Sequence, residues 1–185
     1  MISITEAQLA AWLSPIFWPF LRTLSVFTTV PVFSSRSIPI RVKVALAFFV
    51  ALAAQASLQD LPVIGFNDPQ VLGLVIQQVG VGLAIGFAVR VIFSAVELAG
   101  EVVGFQMGLN FAAFFDPTIG AQSSAVARFF GQMTSLLFLA LNGHLMLLFS
   151  IIRSFKSFPV DQNFLESLAH MKLQRLGSDL FASAL

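Results

Sequence analysis

Apolar residues fall into four runs along the chain: Leu9 to Val32, Val42 to Leu58, Val71 to about Leu109, and Ala125 to Ile152. None of them alternates polar and apolar positions with period two, and each is longer than an ordinary strand, so the pattern predicts helices. Punctuation agrees with that division. Ser34, Ser35, Ser37 and Pro39 separate the first two runs, with Pro39 placed to open a helix. Asp60, Pro62, Gly65, Asn67, Asp68 and Pro69 form the next connection. Asp116-Pro117 interrupts after the third run, and Ser123 or Ser124 is suited to cap the fourth. Pro159 closes the fourth run, and a less apolar helix is expected from Phe164 onward, carrying Glu166, His170, Lys172 and Arg175. Residues 1–185 read as one all-α domain.

Composition identifies the solvent of these helices. Of 185 residues, 57% are hydrophobic and 10% charged, against roughly a quarter charged in soluble domains. Most of the outer surface must therefore meet lipid or equally apolar subunits. In lipid, only helices and closed barrels satisfy every backbone group, and unbroken apolar runs select helices. There are 21 Phe and no Tyr, and both Trp (Trp12 and Trp18) sit in the first run. A spanning bundle usually shares its interfacial belt between Trp and Tyr, so this distribution favours burial among protein partners. Cys is absent, which removes disulfides and thiolate metal sites. A net charge of +1 argues against a polyanion-binding surface. The N-terminus lacks a basic leader and carries Pro15, Pro19 and Arg22 in its apolar stretch, unlike a cleaved signal peptide.

Simple alternation of spans fails. Arg36, Arg41 and Lys43 place the first connection on the cytoplasmic side, whereas the second holds Asp60 and Asp68 without Lys or Arg. Arg153 and Lys156 then fall on the opposite side if four helices alternate. The second run is barely long enough to span and the third nearly twice the needed length. Membrane-associated helical hairpins within a larger assembly resolve the conflict.

The third run carries a polar, small-residue stripe. At about 100° per residue, Gly82, Gly86, Arg90, Ser94, Glu97, Gly100, Glu101, Gly104 and Gly108 share one face. Small residues four apart let backbones approach closely, and charges at membrane depth are costly, by about 2.5 kcal/mol or more each. The face must therefore meet protein or water. It is either a subunit interface or conduit wall, or an internal seam of this chain; a third reading, proton relay by Glu97 and Glu101, competes with neutralisation of both by Arg90.

After the stripe comes FQMGLNFAAFFDPTIG, Phe105 to Gly120. Irregular backbone at membrane depth is tolerated only inside protein or along a cavity. Phe105, Gln106, Met107, Gly108, Phe111, Phe114 and Phe115, beside Asp116-Pro117, suit either core filling, the simpler reading on spacing alone, or a deformable constriction that excludes water.

Here a family resemblance becomes specific. GEVVGFQMGLNFAAFFDP (Gly100 to Pro117) resembles the hallmark stretch of the FliR family, counterpart of the T component of virulence type III export machines. FWPFLR (Phe17 to Arg22), IPIRVKVAL (Ile38 to Leu46), GLAIGF (Gly82 to Phe87) and LLFLALNGHLMLL (Leu136 to Leu148) extend the likeness over nearly the whole chain, in order. Family members usually continue into further apolar C-terminal helices with an N-R-x-x-P-Q-like motif, which this sequence does not contain. The resemblance implies a fold like a fused FliP-type and FliQ-type subunit, joining several copies of each in a helical export gate of the bacterial inner membrane. The resemblance further implies that the gate projects toward the periplasm and works beside FlhB-type and FlhA-type export proteins. It also implies that unfolded substrates pass through the centre and that Phe105 to Gly120 supplies a loop plugging the closed channel. No cofactor is implied, and the motifs lean toward the flagellar system.

Other function classes find little support. Only His144 and His170 are present as histidines; Asn142-Gly143-His144 lies within the fourth apolar run, without a nearby carboxylate, and reads as a hydrogen-bonded packing residue. No metal-ligand spacing, phosphate loop or nucleophile elbow occurs, so catalysis is not expected. A small-solute or proton transporter is the alternative, supported by Arg90, Glu97 and Glu101 on a glycine-interrupted helix. Such a transporter would show flux alone; a gate part would be inactive without partners.

Overall fold

The computed structural model describes residues 6–35, 38–56, 58, 71–108 and 124–160. All six elements among them are helices: α1 (Glu6–Thr29), α2 (Pro31–Ser34), α3 (Ile40–Gln55), α4 (Val71–Gln106), α5 (Ala125–Ala140) and α6 (Gly143–Ser157). The connection at Asp60 to Pro69, most of the Phe-rich stretch and the helix expected from Phe164 lie outside the described residues.

The first run is divided where proline requires it. Pro31 has no N–H to continue the ladder of α1, and it opens the one-turn α2 instead, after extended Val30. Helix α3 starts directly after Pro39, as the punctuation predicts, with Pro39 in the N-cap position rather than inside the helix. It lays Ala47, Ala51 and Ala54 against α1. Methyl-sized side chains at this spacing allow close packing, and α3 turns Phe48, Phe49 and Leu52 outward.

Helix α4 is one unbroken element of 36 residues, about 54 Å long at 1.5 Å per residue, well beyond the roughly 30 Å hydrocarbon core. It alone among the described helices is long and apolar enough to cross a membrane unaided, and only 17% of its most apolar window is buried within the chain. Its exposed apolar side chains, among them Leu72, Ile76, Leu83, Phe87, Ile92 and Leu98, are available to lipid or partner subunits.

The fourth run is not the single helix its hydropathy predicts. It breaks into α5 and α6, bent by 70°. Asn142 adopts a left-handed conformation (φ 57°, ψ 27°), which Asn tolerates better than most non-glycine residues. Gly143 follows because a Cβ there would come within 2.5 Å of the Phe138 ring and 2.8 Å of its carbonyl oxygen. His144 consequently sits in the first turn of α6 rather than inside a continuous helix. Its Nδ1 is buried without a hydrogen-bond partner among the described residues.

The bend brings α6 back onto α1 and the N-terminal half of α4. Trp18, Val26, Val30, Leu74, Leu147, Ile151, Phe155 and Val160 form the common core. Three hydrogen-bond or packing pairs set the direction of α1: Arg22 with Gln78, Ser25 with Gly82, and Thr29 with Gly86. Numbers rise together, so α1 and α4 run parallel. By the same test α5 is antiparallel to α4, since Glu97 meets Gly131 whereas Gly100 meets Ala127.

Candidate functional site: the small-residue face of the long helix

The predicted stripe is used twice along α4, once against each neighbouring helix. In its N-terminal part, Gly82 faces α1: an added Cβ would lie 2.5 Å from the Arg22 carbonyl oxygen and 2.7 Å from the Ser25 Cβ. At Gly86 it would lie 2.7 Å from the Thr29 Cβ. In the C-terminal part, a Cβ at Gly100 would approach the Cα of Ala127 to 2.8 Å. Gly104 is buried as well. Gly82, Gly86 and Gly100 thus bring another element's backbone or Cβ closer than any side chain would permit. These contacts lie within one chain. They make the glycine face an internal seam between helices.

The acidic members of the stripe, Glu97 and Glu101, lie along the α5 part of this seam. Arg90, Ser94 and Glu97 are exposed, and Glu101 is half-buried. Glu97 lies over Gly131, where an added Cβ would be 2.8 Å from its Oε1. Glu97 and Arg128 together line two adjoining clefts between α4 and α5, of about 490 and 270 Å³. Arg128 of α5 is therefore the cation that shares both clefts with Glu97 and the smaller one with Glu101, and Arg90 lines neither cleft. Sequence spacing nominates only Arg90, on the same helix; Arg128 is remote in sequence and joins the glutamates through the antiparallel packing of α5.

Glu101 has a defined role at the helix junction. Its Oε1 accepts the backbone N–H of Ser124 at 2.8 Å. Ser124, the N-cap of α5, in turn accepts the N–H of Ala127 on its Oγ at 3.1 Å. The capping serine is legible in the sequence.

Substitutions can separate the two kinds of glycine contact. Gly100→Ala is expected to destabilise the chain by about 1–3 kcal/mol, because its obstacle is the Ala127 backbone. Gly131→Ala is expected to stay within about 0.5 kcal/mol of wild type, because the obstacle is the free end of Glu97. Thermal unfolding of both variants in detergent checks the ordering.

A second constellation has no counterpart in the motif reading. Arg22, fully buried, donates from Nε to Gln78 Oε1 at 2.9 Å, from Nη1 to Ser154 Oγ at 2.8 Å and from Nη2 to the Phe158 carbonyl at 2.9 Å. Its guanidinium lies 3.6 Å from the centre of the Phe155 ring. Gln78 donates to Gln77, and Gln77 to the Pro159 carbonyl at 3.1 Å. The planar guanidinium and the amide pair thus tie α1 and α4 to the C-terminal end of α6, whose last carbonyls need external donors. The available signal is an arginine and two adjacent glutamines embedded in apolar runs. The arginine's partners stand 56 to 136 residues away in sequence, so no local spacing could pair them.

The Phe-rich stretch is described only at its beginning. Phe105, Gln106 and Met107 are exposed at the end of α4, and Gly108 takes φ 73°, the left-handed conformation that ends helices. Phe111, Phe114, Phe115, Asp116 and Pro117 lie outside the described residues. No cluster of three or more His, Cys, Asp or Glu suited to a metal occurs among the described residues.

Comparison with known proteins places this arrangement. A family model described as "Bacterial export proteins, family 1" matches residues 13–185. The flagellar biosynthetic protein FliR of Escherichia coli K12 is 40% identical over 187 aligned residues, covering 100% of this chain and 70% of the relative. FliR of Pectobacterium carotovorum is 37% identical with the same coverage, and FliR of Bacillus subtilis 168 is 34% identical over 78% of this chain and 56% of the relative. The chain thus spans about 70% of the length of the first two. Agreement across different bacteria, over nearly every residue, carries one conclusion: the chain belongs to the FliR family of bacterial export proteins.

Proposed function

We propose that the chain is a non-catalytic subunit of the flagellar protein-export gate, embedded in the bacterial inner membrane with its hairpins projecting toward the periplasm. It packs beside FliP-type and FliQ-type subunits, near FlhB-type and FlhA-type export proteins, and borders the path taken by unfolded export substrates. The stretch from Phe105 to Gly120 forms an apolar constriction across that path. One observation carries the reading: an apolar helix of 36 residues, with a row of large apolar side chains left exposed by its own chain, runs directly into the Phe-rich stretch. A surface of this kind is stable only when lipid or other subunits cover it.

An apolar constriction has a physical advantage for a protein-export path. Dewetting blocks ions and water without a fixed charge that would hold a passing polypeptide. Met107 and the phenylalanines adapt to varied side chains. Trimming Phe114 and Phe115 to alanine is therefore expected to make the assembled gate leak ions, as measured by conductance of membranes carrying it. Unchanged conductance in a fully assembled double variant would count against the constriction.

Transport of small solutes or protons by the Arg90, Glu97 and Glu101 stripe is the weaker reading. Glu101 is engaged with the start of α5, and Arg90 lines neither cleft that the glutamates line.

A further inference from the structure

We infer that the groove between the N-terminal half of α4 and the end of α6 binds one acyl chain of an anionic phospholipid, with the lipid phosphate held by Arg153. The groove encloses about 660 Å³, inside the roughly 300–1,000 Å³ typical of ligand pockets. Its α4 wall is made by Ile76, Val81 and Ile85, with Gly80 and Ala84 between them. A Cβ built on Gly80 would meet nothing within 4 Å, so the space at that point is open. Phe158 extends the apolar lining from the end of α6. The floor is fixed by bonds already made. Gln77 donates to the Pro159 carbonyl, and Ser154 Oγ accepts from Arg22. A groove held in this way needs little reordering to take a ligand.

Shape and charge together select the occupant. From Ile76 to Ile85, α4 advances about 14 Å at 1.5 Å per residue. Over that length a helix about 10 Å across occupies on the order of 1,100 Å³, well above the volume of the groove. A single hydrocarbon chain is narrower, and it gains from burial along its whole length. Arg153 and Ser157, one turn apart on α6, line the same groove and are exposed. Lys156 adds a second cation in the last turn of α6. Among the described residues no carboxylate lines the groove, and neither α6 nor the part of α4 before Glu97 contains one. An arginine offers paired N–H donors to phosphate oxygens, and basic pockets between membrane helices bind anionic head groups. The acyl chain lies along the α4 wall while the phosphate meets Arg153 and Ser157.

The site belongs to this chain's own surface and does not rest on the gate reading. Native mass spectrometry of the chain in detergent, titrated with phosphatidylglycerol or with zwitterionic phosphatidylethanolamine, tests it. Wild type is expected to retain one phosphatidylglycerol at a concentration roughly fivefold below that needed for phosphatidylethanolamine, the advantage of one basic side chain at a negative head group. Arg153→Gln is expected to hold both lipids alike. Gly80→Leu fills the open part of the groove and is expected to retain neither. Should that variant fail to fold, Ala84→Leu obstructs the same groove one turn further along α4. Equal retention of the two lipids by wild type, or a preference that survives Arg153→Gln, would overturn the inference. So would retention unchanged by filling the groove, which would place the lipid elsewhere. The same titration on the chain assembled with FliP-type and FliQ-type subunits distinguishes lipid from protein as the occupant. Lipid kept in the complex supports the site, whereas lipid expelled on assembly makes the groove a subunit contact and overturns it.

Discussion

Replacing Arg22 by alanine is expected to destabilise the chain by about 3 kcal/mol or more. Its three acceptors, Gln78 Oε1, Ser154 Oγ and the Phe158 carbonyl, would lose a charged donor in a buried or part-buried setting. Each orphaned buried acceptor costs about 1–3 kcal/mol, and the vacated volume beside Phe155 adds a cavity term. Arg22→Lys tests the geometry. A lysine keeps the charge, but a compact ammonium on a flexible stem cannot present a planar fork to acceptors on separate elements. It is expected to recover only a small part of the loss. Thermal unfolding in detergent, with wild type, alanine and lysine compared, measures both effects. An alanine variant unfolding at the wild-type temperature would mean that the network does not hold α6 in place.

Substitution at Gly82 is expected to act through backbone distance alone. Gly82→Val would force apart α1 and α4 at the point where a Cβ meets the Arg22 carbonyl oxygen at 2.5 Å. Main chain cannot rotate out of the way as a side-chain end can, so the cost is expected near the upper end for overpacking, about 3 kcal/mol. It also falls beside Arg22, and the two losses should not be additive. Gly80, just before it on the same helix, has nothing within 4 Å of the place a Cβ would take and provides the control. Gly80→Ala is expected to be neutral or to stabilise by up to about 1 kcal/mol through helix propensity. The opposite order of these two variants in a thermal-unfolding series would overturn the packing account of the stripe.

Some of this arrangement is legible from residue order. Gly82, Gly86, Gly100 and Gly104 recur at helical spacing, and that spacing predicts a face on which backbones meet. Which backbones meet is decided by topology. Two different helices, α1 and α5, share successive parts of that face, and spacing along α4 contains no information about either. Ser124 is legible as a cap because capping is local. The Glu101 contribution is not, because it crosses from one helix to another. The fourth run shows the limit of hydropathy most clearly. Leu136 to Leu148 is apolar throughout except at Asn142-Gly143-His144, and an apolar average is blind to the left-handed Asn142 that turns the chain by 70°. That bend matters, because it returns Ser154 and Phe155 to Arg22. The family resemblance, by contrast, needs only the order of short motifs, and it covers residues whose packing no periodicity discloses.

On the proposed function, this chain works only as one part of a hetero-oligomeric gate. Native mass spectrometry tests it most directly, on the chain purified gently in detergent after co-expression with FliP-type and FliQ-type subunits from the same bacterium. A discrete complex holding one copy of this chain and several copies of each partner is expected. A monomer or homo-oligomer free of both partners would contradict it.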